Sequence, residues 1–392
     1  MNGNPGEARR TALDLFIPLG HARTVILTGS AAQGRHIAQF MADAGARTVS
    51  LDLGTVPTDT RGRFAAYERL LAYPTETLRS RLDTEDPDCT ALVYAGSFTS
   101  VKSVCGRRVI GARSASQLNA ERKDMQRELF GLGGDIAVLA EGLARVSPPA
   151  VVQGVPDEGV AMATSHTYLV PQSADSHRLE QLAITLRRDC TRAMVTRFNA
   201  GTPCTFYGFV TATAVIDFGP VEALVYWDQH TWRIHAPGIL RPLRVADKVL
   251  ASARFAVQAI ARRLCQELHY VGAFGTDGVL TDDGYTVHEI NPRVCAGFSL
   301  LDRLMPEAAP LAAIDLVMRE FPDSSTMLAV PLTSLASVLQ QHPTVAFQLW
   351  ETPTMSSPAP AEELTQAEWV RQIRTAASGG LQPIRELKEI RE

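Results

Sequence analysis

The first third of the chain alternates short apolar runs with one amphipathic stretch. The apolar runs predict strands, and the amphipathic stretch places Ile37, Phe40 and Met41 on one helical face. The predicted strands cover residues 23–29, 47–53, 91–95 and 108–110, and the predicted helix covers residues 32–44. A strand, a helix and a second strand within about 30 residues form a βαβ unit. Residues 1–113 are therefore predicted to form a Rossmann-like α/β domain.

The pattern changes after this domain. Ser114 opens a predicted helix that ends near Gly131, and residues 133–159 are predicted to be irregular because they contain three prolines. Further strands follow with connections too short for crossover helices, which predicts antiparallel pairing. These strands cover residues 193–198, 205–211, 214–218 and 223–227, and helices are predicted over residues 245–268, 311–319 and 361–377. We expect an α+β domain over residues 114–323 and a C-terminal extension over residues 324–392.

The most informative segment is a predicted hairpin within residues 271–297. Its strands cover residues 273–280 and 285–290, and the Asp-Asp-Gly sequence between them is typical of a turn. With a three-residue loop over 282–284, Asp277 lies directly opposite Glu289, with their Cβ atoms about 5 Å apart. Asn291 is two residues past Glu289 and therefore projects from the same face.

Two facing carboxylates with no lysine beside them repel each other unless a cation lies between them. Oxygen ligands from Asp277, Glu289 and Asn291 suit Mg²⁺, which typically also binds phosphate oxygens. Arg293 is the next residue on the same face, where it is placed to hold a phosphate oxygen or a developing anion. The alternative interpretation is a solvent-facing hairpin edge that happens to be acidic.

Composition argues against several other classes of protein. The 392 residues carry a net charge of -4, and no basic stripe interleaved with aromatic residues indicates nucleic-acid binding. The six cysteines form no C-x-x-C pair and have no zinc-ligand spacing, and together with the absence of an export signal they fit a reducing cytoplasm. No apolar run is long enough to cross a membrane. We therefore expect a cytoplasmic protein that binds neither nucleic acid nor a membrane.

The Glu-Ile-Asn-Pro-Arg run at 289–293, after an acidic strand, resembles the carboxyl half of an ATP-grasp domain. This is the fold of biotin carboxylase and of many carboxylate–amine ligases. The segment 235–238, the helix over 245–268 and the N-terminal βαβ domain are similar to the same enzymes. The resemblance implies that Asp277, Glu289 and Asn291 bind ATP through Mg²⁺. Within this superfamily the sequence resembles bacterial peptide ligases of secondary metabolism, such as the pheganomycin type.

The resemblance also implies nucleotide contacts before the hairpin. Gln153 stands where these enzymes usually have a lysine, and no tight glycine cluster follows it. Thr196, Arg197 and Phe198 match the segment that hydrogen-bonds adenine. Glu222 lies on a strand that faces ATP in the family.

Other residues near these elements are weaker candidates for the site. Thr164, Ser165 and His166 could supply hydrogen bonds in place of the glycine cluster. Arg233 and Arg241 flank an Ala-Pro-Gly turn and are candidate phosphate or carboxylate clamps, with solvent-exposed surface arginines as the alternative.

A second glycine-containing turn lies in the N-terminal domain. Residues 29–34 (GSAAQG) follow the first predicted strand and open a helix, an arrangement that can hold a phosphate, and Asp52 ends the next strand. The G-x-G-x-x-G pattern is absent, so a structural role is favoured. A nicotinamide-dependent oxidoreductase, which is the third hypothesis, depends on this unit alone.

The leading hypothesis is an ADP-forming ligase that joins a carboxylate to an amine through an acyl phosphate. Arg293 would stabilise the tetrahedral oxyanion, and Arg241 is the second residue expected to take part in catalysis. The alternative is a nucleotide-binding or acyl-loading protein with impaired turnover, or with a carrier-protein or thiol acceptor. It is motivated by Gln153 and the missing glycines. The sequence leaves the two substrates and the oligomeric state open, with a homodimer as one arrangement.

Overall fold

The N-terminal part of the chain folds around a five-stranded sheet. Its strands are β1 (Thr24–Thr28), β2 (Arg47–Leu51), β3 (Leu92–Tyr94), β4 (Ser103–Val104) and β5 (Arg107–Ile110). In the order β2-β1-β3-β5-β4, all neighbours pair in parallel except β4, which is antiparallel to β5. The predicted parallel α/β arrangement is confirmed. The computed structural model describes residues 5–28, 31–51, 60–144, 146–155, 166–342, 344, 346–349 and 381–384.

Four helices accompany this sheet. They are α1 (Pro5–Gly20), α2 (Ala31–Asp43), α3 (Thr60–Ala72) and α4 (Glu76–Glu85). The sequence pattern did not predict α1, because its buried stripe is narrow and two of its three members are alanines. Ala8, Ala12 and Phe16 recur every four residues and are all fully buried. The helix is therefore held by tertiary packing more than by a strong amphipathic pattern.

Two short helices follow where one was predicted. They are α5 (Ala115–Glu121) and α6 (Lys123–Phe130), and Arg122 between them has extended backbone angles. Both predicted ends are correct, because Ser114 forms a capping box with Gln117 and Gly131 adopts the left-handed conformation. The break matters for the site, since it turns Glu121 and Lys123 into the protein interior.

The second sheet has four strands. They are β6 (Asp135–Val138), β7 (Ala150–Val155), β8 (Thr167–Val170) and β9 (Arg192–Arg197), in the order β6-β9-β7-β8 with antiparallel pairing. Its helices are α7 (Leu139–Ala144) and α8 (Ser176–Leu186). The expectation that residues 133–159 are irregular is wrong for its described part, which contains β6, α7 and β7. These elements are only four to six residues long, β6 runs directly into α7, and Pro148 and Pro149 precede β7, so their periodicity is hard to detect.

The third and largest sheet has seven strands. They are β10 (Thr202–Val210), β11 (Val215–Asp228), β12 (Ile234–Arg241), β13 (Gly272–Thr281), β14 (Gly284–Asn291), β15 (Ala346–Leu349) and β16 (Leu381–Pro383). The order is β14-β13-β10-β11-β12-β15, and β16 pairs with β11. Antiparallel pairing is confirmed throughout. The two predicted strands over 214–218 and 223–227 form one strand, β11, which continues through the Gly-Pro pair at 219–220.

Helices cover both faces of this sheet. They are α9 (Asp247–Leu268), α10 (Phe298–Leu304), α11 (Leu311–Glu320) and α12 (Ser325–Gln341), with a 3₁₀ turn at Pro322–Ser324. The predicted long helix is confirmed as α9, whereas α12 was not predicted. The helix predicted over 361–377 lies outside the described residues. In the part of the chain that the structure describes, no helix has the length and apolar character needed to span a bilayer.

One apolar core joins the N-terminal sheet to one face of the third sheet. Its buried members include Phe16, Leu27, Ile110, Phe209, Phe218, Phe298, Leu316 and Leu335. Helix α12 packs against both α1 and β11, so it closes this core from the C-terminal side. The core therefore runs across the predicted domain boundaries at residues 113 and 323.

A buried charge fixes the start of β13. Asp315 of α11 is fully buried, accepts a hydrogen bond from the Ala273 amide at 2.8 Å and forms an ion pair with Arg319, which is 7% exposed. Because β13 also carries Asp277, this contact sets the position of the predicted metal-binding strand relative to the core.

We expect Asp315→Ala to lower the free energy of unfolding by about 3–5 kcal/mol, because Arg319 would be left buried without a counterion. Urea denaturation measures the change. Glu85→Ala is the matched control, since it removes an exposed ion pair with Arg47 at 3.0 Å and should cost less than about 1 kcal/mol. Equal losses in the two variants would contradict the prediction.

Candidate active site

The hairpin of β13 and β14 turns more tightly than predicted. Thr281 pairs directly with Gly284, so Asp282 and Asp283 alone form the loop. The predicted three-residue loop is therefore wrong. A two-residue loop on its own would shift every later pair by one residue and move the carboxylates out of register.

A β-bulge at His288 restores the predicted pairing. Asp277 pairs with Glu289, whereas the next residue, Gly278, pairs with Val287, so His288 has no partner across the hairpin. A Cβ atom at Gly278 would lie 2.2 Å from a carbonyl oxygen of the facing strand, so this close approach requires glycine. The bulge compensates for the shorter loop and leaves the two carboxylates facing each other.

The Asp277 carboxylate is oriented by neighbours on both sides. Thr205 Oγ1 donates to Asp277 Oδ1 at 2.7 Å, and Asn291 Nδ2 donates to Asp277 Oδ2 at 3.1 Å. Thr205 and Glu289 lie opposite Asp277 on the two flanking strands, so the three side chains share one face of the sheet. The structure thus brings together Asp277, Glu289 and Asn291 as the sequence predicts.

The expectation that no lysine lies beside this pair is wrong. Lys123, the first residue of α6, is 5% exposed, and its ammonium group contacts the Glu289 carboxylate. Burial lowers the pKa of Lys123 to about 8, while the nearby Asp277 charge acts in the opposite direction. The buried cation offsets part of the repulsion between Asp277 and Glu289. The contact between Lys123 and Glu289 could not be predicted from the local sequence, because the two residues are 166 positions apart.

Helix α6 also protects the exposed edge of the sheet. Strand β14 is an edge strand, and Gln126 bonds to both backbone groups of Ile290, donating to its carbonyl at 2.8 Å and accepting from its amide at 3.0 Å. This pair of bonds fixes α6 against the residue that precedes Asn291. Lys123 is one helical turn away and is placed on Glu289 by the same contact.

Arg293 lies at the other end of the carboxylate row. Its Nη2 donates to Asn291 Oδ1 at 3.2 Å, its Nε donates to Glu121 Oε2 at 3.1 Å, and its guanidinium lies 4.9 Å from the centre of the Phe98 ring. Arg113 completes the group by donating to Glu121 Oε1 at 2.8 Å. Three basic and three acidic side chains therefore meet beside the hairpin: Lys123, Arg113 and Arg293 with Asp277, Glu289 and Glu121.

The donor set fits a hard divalent cation. Among the described residues no group of three or more His, Cys, Asp and Glu side chains is arranged to hold a metal, so a cation here would bind two carboxylates and one amide. Mg²⁺ commonly uses one or two carboxylates and completes its shell with water and phosphate oxygens. The contact of the Lys123 ammonium with Glu289 shows that the row already accommodates a positive charge.

The predicted nucleotide-contacting residues lie mostly on the second sheet. Gln153 on β7 donates to Thr167 Oγ1 at 3.4 Å, Thr196 on β9 donates to the Val151 carbonyl at 3.5 Å, and Arg197 is exposed. Phe198 packs against the apolar core of that sheet. These residues form a separate group from the carboxylate row.

A polar contact links the second and third sheets. Asn199, two residues past the end of β9, lies 3.4 Å from the bulged His288, measured from Nδ2 to Nε2. Burial lowers the pKa of His288. The bulge therefore places the His288 side chain beside Asn199, the residue that follows the segment predicted to contact adenine. This contact connects the two groups of candidate residues.

The structure does not bring Glu222 or Arg233 to the carboxylates. Glu222 pairs with Cys204 and Leu240, so it projects from the opposite face of the third sheet to Asp277. Arg233 follows the β11–β12 turn and bridges to Tyr168 on β8.

Arg241 shares the face of Asp277 but lies three strands away. It is 4% exposed, its Nη2 donates to the Leu339 carbonyl at 2.6 Å, and burial lowers its pKa. His166 is 3.7 Å from Asp189, measured from Nε2 to Oδ2. Thr164, Ser165, Asp52 and the start of the 29–34 turn lie outside the described residues.

The chain is similar to known proteins in structure. No protein-family model matches the sequence, and no curated protein matches it. The chain is similar to an L-amino acid ligase from Bacillus licheniformis at 14% identity and a TM-score of 0.50, over 79% of this chain and 77% of that one. A carboxyaminoimidazole ribonucleotide synthase from Aspergillus clavatus, solved with ATP, has 15% identity and a TM-score of 0.49, over 80% and 79%. A phosphoribosylamine–glycine ligase from Thermotoga maritima has 14% identity and a TM-score of 0.47, over 72% of each chain.

The similarity to the amino acid ligase shows a shared architecture. The chain has the ATP-grasp fold that the Glu-Ile-Asn-Pro-Arg run predicts.

Four polar residues that lie at the site were not predicted from the sequence: Lys123, Glu121, Arg113 and Thr205. One signal could have indicated two of them. The Glu-Arg-Lys-Asp run at 121–124 interrupts the predicted helix and places charges at both sides of a break. Thr205 carries no such signal, because it lies within an apolar strand.

We expect Lys123→Met to lower the thermal stability in the absence of metal, because Glu289 and Asp277 would lose their buried cation. Excess Mg²⁺ should then raise the melting temperature of this variant more than that of the wild-type protein, since a divalent ion replaces the missing charge. Differential scanning calorimetry with and without Mg²⁺ measures both effects. Arg122→Met, which removes a half-exposed charge one residue away, is the control and should respond as the wild type does. A Mg²⁺ response that is the same in all three proteins would argue against a cation site here.

Proposed function

We propose that this protein is an ATP-dependent, ADP-forming ligase that joins a carboxylate to an amine. The observation that supports it most is the row of Asp277, Glu289 and Asn291 on one face of the hairpin, with the buried cations Lys123 and Arg293 beside it. Oxygen donors for a metal and fixed positive charges at one place are what phosphoryl transfer from ATP requires. The ATP-grasp fold, shared with an L-amino acid ligase, supports the same class of reaction.

Asp277, Glu289 and Asn291 would hold Mg²⁺ together with ATP. When bound, the ion would neutralise charge on the transferred phosphoryl group. Lys123, which contacts Glu289, would supply a positive charge for a phosphate oxygen. The second sheet would hold the adenine through Thr196, Arg197 and Phe198, and the His288–Asn199 contact brings that segment toward the hairpin.

The terminal phosphoryl group of ATP would pass to the substrate carboxylate. The bond from the β–γ bridging oxygen to the γ-phosphorus breaks, ADP leaves, and a carboxylate oxygen forms the new bond to phosphorus. The amine nitrogen then attacks the carbonyl carbon, phosphate leaves, and the amine loses a proton. Arg293, the cation next to Asn291, would stabilise the oxyanion of that tetrahedral intermediate.

No protein nucleophile is needed for this sequence of steps. The thiol closest to Arg293 is Cys295, with its Sγ 3.7 Å from Nη1, and burial raises the pKa of Cys295 to about 12. A thiol with that pKa stays protonated near neutral pH and is a weak nucleophile. This favours direct transfer to the substrate over a covalent acyl-enzyme.

The substrate is proposed to be an amino acid or another small acid, with a second small molecule as the amine. The alternative function is nucleotide binding or acyl loading with slow turnover. Gln153 favours it, because a neutral amide bonded to Thr167 stands where the family usually supplies a lysine for the phosphates.

The reaction type can be tested by trapping the acyl phosphate. With the correct acid, Mg²⁺, ATP and hydroxylamine, we expect hydroxamate and ADP in equal amounts, because hydroxylamine replaces the amine. Colorimetric hydroxamate detection and nucleotide chromatography over a panel of amino acids measure both products. Formation of AMP and pyrophosphate would contradict the mechanism, and nucleotide binding without turnover across the panel would favour the alternative.

The site can be tested in the same assay. We expect Glu289→Gln to reduce ADP formation by about 100-fold or more, because it removes a charge that binds the metal–phosphate group. Asp283→Asn, in the exposed turn of the same hairpin, should retain wild-type activity. Similar activity in the two variants would contradict the assignment of the carboxylate row.

A further inference from the structure

Glu121 is the buried acidic residue of the site that lies outside the carboxylate row. It ends α5 and is 1% exposed. Each of its oxygens accepts from a different arginine: Oε1 from Arg113 Nη1 at 2.8 Å and Oε2 from Arg293 Nε at 3.1 Å. A carboxylate buried this deeply is tolerated only when its oxygens are paired with cations or hydrogen-bond donors.

The contacts of Arg293 leave its guanidinium little freedom. Glu121 holds the Nε edge, Asn291 accepts from Nη2 at 3.2 Å, and the Phe98 ring covers one face at 4.9 Å. Nη1 lies 3.5 Å from the Val294 carbonyl. An arginine side chain has several rotatable bonds, so without these contacts it would sample many orientations.

These contacts also cross between parts of the chain. Phe98 and Arg113 belong to the N-terminal region, Glu121 to the segment that follows it, and Arg293 to the loop after β14 of the third sheet. The cluster of two arginines and one carboxylate retains one net positive charge. That charge lies next to Asn291 and therefore beside the proposed metal–phosphate group.

We propose that Glu121 is a positioning residue that fixes Arg293 for the reaction at the substrate carboxylate. This inference rests on the proposed function, because it assigns Glu121 a role through Arg293. A charge held in place before the reaction stabilises a developing oxyanion better than a mobile one. A misplacement of about 1 Å can reduce a rate about 100-fold.

Glu121→Gln tests the proposal, with Arg113→Gln as the matched control. Glu121→Gln removes the negative charge that pairs with Arg293. Arg113→Gln removes the other arginine that pairs with Glu121 and leaves the Glu121–Arg293 contact in place. We expect Glu121→Gln to lower kcat about 10- to 100-fold while KM for ATP changes less than about threefold. Arg113→Gln, which leaves Arg293 on Glu121, should lower kcat by a clearly smaller factor than Glu121→Gln does, even when its thermal stability falls further.

A second measurement does not depend on turnover. In protein labelled with ¹⁵N-arginine, the Arg293 Nε–H signal is assigned by its loss in Arg293→Lys, and its exchange with solvent is then measured by NMR. We expect slow exchange in the wild type and in Arg113→Gln, and exchange at least about 10-fold faster in Glu121→Gln, where a weaker neutral acceptor replaces the carboxylate. If Glu121→Gln does not fold, Glu121→Asp replaces it, with fast exchange again expected because the shorter side chain cannot span the contact.

The outcomes separate the two proposals. Equal losses of kcat in Glu121→Gln and Arg113→Gln would show a structural role and overturn the positioning proposal, as would unchanged exchange of the Arg293 Nε–H in Glu121→Gln. If the wild type forms no ADP with any acid, the proposed function fails. The NMR measurement then decides by itself whether Glu121 fixes Arg293.

Discussion

The contact between Lys123 and Glu289 determines how the site is built. It joins the start of α6 to the edge strand of the third sheet across 166 residues of sequence. Neither charge would be stable alone in this environment, because a buried ammonium and a carboxylate facing Asp277 each need compensation. The two Gln126 bonds to Ile290 complete the attachment, so one short helix both supplies a positive charge to the hairpin and covers its edge. The break in the helix at Arg122 follows from the same requirement, since it allows Glu121 and Lys123 both to be buried.

The charge balance beside the hairpin would matter for the proposed reaction. Among the described residues, three basic and three acidic side chains meet beside the hairpin, so these groups balance one another in the absence of a bound ion. In the proposed reaction the carboxylates would pair with the ion, and Lys123 and Arg293 would supply positive charge to the phosphate and the reacting carboxyl group. The bulge at His288 is equally necessary, because without it the two-residue turn would place Glu289 out of register with Asp277. Backbone geometry and buried charge thus act on the same few residues.

Much of the architecture could be predicted from periodicity and turn chemistry. The N-terminal parallel strands, the long helix α9 and the facing of Asp277 and Glu289 all follow from local patterns. The predicted pairing of Asp277 with Glu289 was correct although the predicted loop was one residue too long. The extra residue lies in the strand, as the bulged His288, and not in the loop. Helix α1 could not be predicted from its hydrophobic pattern, because its buried face consists largely of alanine. The role of Lys123 could not be predicted either, because its partner Glu289 is distant in sequence. Long-range pairing of buried charges leaves little trace in a single sequence, because each member resembles an ordinary surface residue.

Asp277 and Glu289 are proposed to bind a divalent ion together with a nucleotide. Electron paramagnetic resonance of Mn²⁺, a paramagnetic substitute for Mg²⁺, tests it without any knowledge of the substrates. With ADP present, the wild-type protein should lower the free Mn²⁺ signal below that of Mn²⁺ and ADP without protein. At the same concentrations Asp277→Asn and Glu289→Gln should leave the signal at that reference level, and Asp283→Asn should behave as the wild type. Mn²⁺–ADP binding of equal strength in all four proteins would contradict the account.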